Sequence, residues 1–126
     1  MTIRYKYSII TDESKNQLLT KIYNFPQNLG ELSNNILKII VDELVYEFRI
    51  YFNVQYELVY DWILEHLKTN EKILINFNII PLVENNKGVN SIEIEIKTDS
   101  KHFQLLINYI ISKLNSIFRK KVNIYY

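Results

Sequence analysis

The chain contains no cysteine, and that absence excludes disulfides, thiolate nucleophiles and cysteine-ligated zinc or iron–sulfur clusters. Its two glycines, Gly30 and Gly88, are too few for a Walker loop or a dinucleotide fingerprint, both of which need several glycines so that backbone can approach phosphate. No apolar run approaches the ~18 residues of a membrane span, and Met1 to Tyr7 alternates without the apolar centre of a signal peptide, so no membrane association is expected. Charge of one sign is also missing. The net charge is +1 with scattered basic residues, too weak a field to draw in nucleic acid or an anionic surface by itself. Alanine is absent, whereas the chain holds 21 Ile, 15 Asn, 12 Lys and 10 Tyr. Residues with AT-rich codons therefore dominate, which leads us to expect an AT-rich microbe, virus or mobile element.

What is present suits a small globular protein. With 126 residues, 48% hydrophobic and 23% charged, one α+β domain spanning 1–126 is expected, in a cytoplasmic setting, or a host cytoplasm if viral. Residues 3–10 alternate Ile3, Tyr5, Tyr7 and Ile9 with Arg4, Lys6 and Ser8, the period of a half-buried strand. Thr11 or Asp12 then caps a helix over about 12–24 that presents Leu18, Leu19 and Ile22 and stops before Pro26. A β-hairpin follows at 72–83 and 91–98, setting Ile75, Phe77 and Ile79 against Ile92, Ile94 and Ile96. Its connection, residues 84–90, is rich in turn formers, Gly88 among them, and Pro81 belongs at an edge or bulge. Asp99 or Ser100 caps a last helix with the apolar stripe Phe103, Leu106, Ile107, Ile110, Leu114 and Ile117. Residues 122–126 could add a short last strand.

The centre admits two periods. Leu32, Ile36, Ile40, Leu44, Phe48 and Tyr51 recur at helical spacing after a cap-like Asn28-Leu29-Gly30-Glu31, and Asp42, Glu43, Glu47, Asn53, Glu57, Asp61 and Glu65 follow a similar repeat. A helix is therefore expected, although unbroken it would run about 55 Å, which implies a kink near Asn53. Phe48, Ile50, Phe52, Val54, Tyr56, Leu58 and Tyr60 also alternate, so a strand within 47–57 is the competing expectation. With the helix, the order becomes β-α-α-β-β-α-(β). That is close to the β-α-β-β-α-β arrangement of ferredoxin-like domains, a topology that hosts many functions. No residue motif ties the chain to a family.

Catalytic constellations are thin. His66 and His102 stand far apart without a further ligand at metal spacing, and no HExxH or Gly-x-Ser-x-Gly occurs. No cofactor is expected, and the chain does not read as an enzyme. On a helix, Tyr46, Ile50, Val54, Tyr60 and Leu64 would form a second apolar side opposite Val45, Phe48, Tyr51, Phe52 and Trp62. A helix apolar on both sides is usually buried on both, by its own domain or another chain. These five residues are the expected interface of a non-catalytic protein–protein interaction module, a homodimer acting as a viral or mobile-element accessory protein that binds a host or partner protein.

Two other classes remain. Lys113, Arg119, Lys120 and Lys121 with Tyr125 and Tyr126 could grip nucleic acid, although cations at a helix C-terminus also answer its dipole. Glu57, Asp61 and Glu65, four apart, could serve a metal-dependent enzyme, or simply form a solvated acidic edge. The polar sheet face, with Arg4, Lys6, Ser8, Asn76, Asn78, Glu93, Glu95 and Lys97, shows no aromatic and so lacks the stacking platform of RNA-recognition modules.

Overall fold

A computed structural model of the chain describes residues 2–82 and 89–118. Strand β1, Ile3–Thr11, leads to helix α1, Lys15–Tyr23, and a 3-10 turn, Phe25–Asn28. Five strands follow without interruption by helix: β2 (Glu31–Ser33), β3 (Ile36–Val41), β4 (Leu44–Tyr56), β5 (Val59–His66) and β6 (Lys72–Pro81). Strand β7 (Asn90–Thr98), a 3-10 turn at Lys101–Phe103 and helix α2 (Gln104–Ile117) complete the order. All seven strands form one antiparallel sheet in the order β1-β7-β6-β5-β4-β3-β2.

The α+β class stands, and so do the expected first strand, the hairpin and both terminal helices. Ile75 pairs with Ile96, Phe77 with Ile94 and Ile79 with Ile92, in the anticipated register. Pro81 falls at the last position of β6, where the missing N–H is tolerated. Helix α1 is capped by Ser14 rather than Thr11 or Asp12: Ser14 Oγ accepts from Gln17 N and the Gln17 side chain accepts from Ser14 N, a reciprocal capping box. Residues 83–88, Gly88 among them, and the suggested strand at 122–126 lie outside the described residues.

The central helix and the ferredoxin-like order are corrected. Residues 31–66 are strands, folded back on themselves by turns that contain no glycine. Asn34 and Asn35 have φ of 51° and 62°, and Asp42 and Glu43 have φ of 48° and 69°. These are two-residue hairpin turns with both central residues left-handed, the form whose twist matches that of the flanking strands. Leu58, with φ 68°, turns the chain between β4 and β5. Pairing with a strand on each side gives the backbone of the central strands its hydrogen-bond partners, and alternate side chains meet the helices. That arrangement outweighs a solvent-facing helix too long for the domain.

Both helices cover one face of the sheet. The core joins Leu18 and Ile22 of α1, Phe25 and Leu29, and Phe103, Leu106, Ile107, Ile110 and Leu114 at the far end of the chain. Against them pack Leu37, Phe48, Ile50, Trp62, Ile75, Phe77 and Ile94 of the sheet. Trp62 pins α1 to β5 by donating its Nε1–H to Ile22 O at 2.7 Å, and Tyr109 Oη donates to Leu29 O at 3.0 Å.

Candidate functional site: an aromatic end of the inner face

Register places the five residues expected to form an interface on a single face. Ile50 pairs with Leu64 and Val54 with Tyr60, while Tyr46 lies two alternations earlier on β4. All five therefore point to the inner side, the side of the helices. Their roles separate there. Ile50 and Leu64 are 6% and 1% exposed and belong to the core. Tyr46 is half-buried, stacked on Phe48 at 6.4 Å and edge-on to Phe103 at 6.2 Å. Val54 and Tyr60 lie where β4 and β5 extend beyond the helical cover, and Val54 is 60% exposed.

Around them the chain builds a ring cluster. Phe52 and Tyr60 stack with planes 10° apart and centroids 6.0 Å apart, and Phe52 meets Trp62 at 4.7 Å. Tyr23, at the end of α1, packs edge-on to Phe52 at 5.7 Å and tilted to Trp62 at 6.4 Å. Such offset and edge-to-face geometries suit aromatic quadrupoles, at about 0.5–1.5 kcal/mol per pair beyond area burial. Trp62 is buried with its N–H satisfied, whereas Tyr23 is 64% exposed, so one wall of the cluster is open. Sequence reasoning missed Tyr23. Its signal is an aromatic residue at the end of an amphipathic helix, just ahead of the proline.

The other candidates are not drawn together. Glu57 sits in the β4–β5 turn and pairs with Lys15 at 3.8 Å, and Glu65 lies between Arg49 and Lys72, each at 3.9 Å. Asp61, 1% exposed, is held on the outer face by the Gln55 and Asn76 amides, with Asn76 Nδ2 donating at 2.6 Å. Among the described residues no three His, Asp or Glu side chains converge as a metal site. His66 Nδ1 lies 3.0 Å from Thr69 Oγ1, and the His66 ring packs on Phe48 and Phe103. Lys113 lies over the Tyr109 ring at 5.5 Å, while Arg119, Lys120, Lys121, Tyr125 and Tyr126 are outside the described residues. The outer face carries Asn76, Asn78, Glu93, Glu95 and Lys6, with Lys6 and Glu93 paired at 3.9 Å. No helix among the described residues is long and apolar enough to cross a membrane.

No family model and no curated protein matches this chain. Solved structures do. A START superfamily protein from Mycobacterium smegmatis aligns over 92% of both chains with a TM-score of 0.56 and 12% identity. Ara h 8.0201 aligns over 95% of both with a TM-score of 0.61 and 10% identity. An uncharacterized protein from Bacillus thuringiensis aligns over 93% of this chain and 96% of its own, with a TM-score of 0.60 and 15% identity. At such identities the likeness is one of architecture: the chain shares the fold of these structures, here a seven-stranded antiparallel sheet packed against a C-terminal helix.

Proposed function

We propose that the protein is a non-catalytic binding domain that holds a flat apolar small molecule against Tyr23, Phe52, Val54 and Tyr60. The observation that carries this reading is the open wall of the ring cluster: Tyr23 and Val54 are 64% and 60% exposed beside rings already stacked in parallel. Exposed apolar side chains scattered singly need no explanation, but a contiguous group flanking an aromatic stack offers a ligand both area and ring faces. The shared architecture is compatible with this and does not select the ligand.

Trp62 is the only tryptophan and touches the cluster, so it reports on the site directly. Titration with 1-anilinonaphthalene-8-sulfonate is expected to quench Trp62 emission saturably, with one site per chain. Val54→Glu is expected to abolish the quenching at unchanged melting temperature, and Tyr23→Ser to abolish it at a cost of about 1–3 kcal/mol in stability from its two ring contacts. Quenching that never saturates, or that both variants retain, overturns the reading.

A second reading, self-association or capture of another protein through the same surface, is favoured by Tyr56, 68% exposed next to Val54, since tyrosine is enriched at interfaces. It expects a concentration-dependent dimer in light scattering that Val54→Glu dissociates; a monomer at all concentrations disposes of the homodimer.

A further inference from the structure

At the other end of β4 the sheet is incomplete. Pairing between β4 and β5 ends at Phe48 with His66, apart from Leu67 N donating to Glu47 O at 3.0 Å. The chain then turns away into β6, while Leu44, Val45 and Tyr46 stay paired with β3 alone. In an antiparallel ladder, successive residues direct their N–H and C=O to opposite neighbours. The two-residue turn at Asp42 and Glu43 makes Leu44 bond toward β3, and Glu47 bonds toward β5. Val45, between them, therefore directs its N–H and C=O to the β5 side, into a cleft of about 390 Å³.

That volume lies within the roughly 300–1,000 Å³ of small-molecule sites. Glu47 and Lys68 line the cleft with opposite charges, and among the described residues neither forms an ion pair. Leu44 and Val45, 52% and 53% exposed, together with Leu67, supply apolar surface. His66, fixed by Thr69 and by the Phe48 and Phe103 rings, forms a rigid wall.

We propose that this cleft is a second ligand site, fitted to a small zwitterion with an apolar side group, the α-amino acid class. Lys68 and the Val45 N–H receive the carboxylate, Glu47 and the Val45 C=O receive the ammonium, and the leucine and valine side chains cover the aliphatic portion. Charged hydrogen bonds contribute more than neutral ones, so the two charges, not the apolar area, set the selectivity.

The test uses L-leucine as probe, read by amide chemical shifts of the intact chain. Leucine is expected to shift Val45 and Leu67 saturably. Lacking one charge, 4-methylpentanoate and isopentylamine are expected to bind about tenfold more weakly, as are the Glu47→Gln and Lys68→Met variants with leucine, at unchanged melting temperature. Uncharged N-acetyl-leucinamide is expected to shift neither residue. The proposal is overturned if leucine gives no saturable shift at tens of millimolar, if N-acetyl-leucinamide binds as well as leucine, or if both variants bind leucine like the parent. The Trp62 response to the naphthalene probe is independent of every one of these outcomes, so failure here leaves the aromatic site untouched.

Discussion

Replacing Gly30 with alanine should weaken the protein, and the structure says by what route. A methyl carbon on Gly30 would lie 2.1 Å from the carbonyl oxygen of Lys38, 3.0 Å from its carbonyl carbon and 3.2 Å from Ile39 Cα. Carbon–oxygen contacts settle near about 3.3 Å, so the two backbones must part by about an ångström. Every opposing atom is main chain, so no side chain can swing aside. The softest response is to peel β2 from β3, since β2 is an edge strand of three residues. Losing two or three ladder hydrogen bonds at about 0.5–1.5 kcal/mol each, and loosening the adjoining Leu29, gives a loss of about 2–3 kcal/mol. An unstrained glycine-to-alanine change would instead stabilise by about 0.4–1 kcal/mol through the unfolded chain. The two outcomes differ in sign. Urea unfolding followed by Trp62 fluorescence separates them, and the melting temperature should fall by roughly 10 °C. A Gly30→Ala protein as stable as the parent would refute the close approach of β2 to β3, and with it the register of that edge.

Glu43→Gly is expected to stabilise by about 0.5–1 kcal/mol in the same assay, because φ of 69° suits glycine in a two-residue hairpin turn and strains glutamate; a loss of stability would contradict the turn. Trp62→Phe removes the donor to Ile22 O and part of the ring contact with Phe52, and should cost about 2–4 kcal/mol in thermal unfolding followed by circular dichroism; a neutral change would show that α1 is not anchored there. Tyr7 carries a buried hydroxyl that meets no partner among the described residues, and burial pushes its pKa well above the usual phenol value. Tyr7→Phe is therefore expected to be neutral or stabilising by up to about 2 kcal/mol. The linkage has a definite sign. The contribution of neutral Tyr7 is fully present below about pH 10, where an unfolded tyrosine keeps its proton, and declines as pH rises above that, so parent stability should fall more steeply in alkali than that of Tyr7→Phe. Parallel pH profiles would show that the hydroxyl is not sequestered.

The ends of the fold were legible in the sequence for a physical reason. Strand β1, the β6–β7 hairpin and α2 each bury one face and wet the other, so their hydrophobic periods are unambiguous, as Ile75, Phe77 and Ile79 against Ile96, Ile94 and Ile92 show. The middle was not legible because β3, β4 and β5 are linked by turns that carry none of the usual punctuation. Asn34-Asn35, Asp42-Glu43 and Glu57-Leu58 lack glycine and proline, and the polar ones fell at intervals close to a helical repeat. Of the two periods in 46–60, the two-residue alternation was the true one. A 55 Å helix in a chain of this size was the warning that the other was wrong.

The strand register also redistributes the apolar residues of this segment. On a helical wheel, Tyr46, Ile50, Val54, Tyr60 and Leu64 scatter over a side opposed to Phe48, Phe52 and Trp62, which suggests two apolar surfaces and a partner to cover the second. All eight are even-numbered, and β4 and β5 pair so that Phe52 meets Trp62, Ile50 meets Leu64 and Val54 meets Tyr60. On strands in this register they share one face, and the supposed second surface becomes the chain's own core. What needs a partner then shrinks from a whole helix side to the ends that the helices do not reach: the rings and Val54 at one end of β4, and the unpaired backbone of Val45 at the other. Strand β4, at 13 residues, outruns β5 at its start, where Leu44 to Tyr46 pair with β3 alone, and outruns β3 at its end, where Tyr51 to Tyr56 run along β5 alone, and the two candidate ligand sites lie at those two ends.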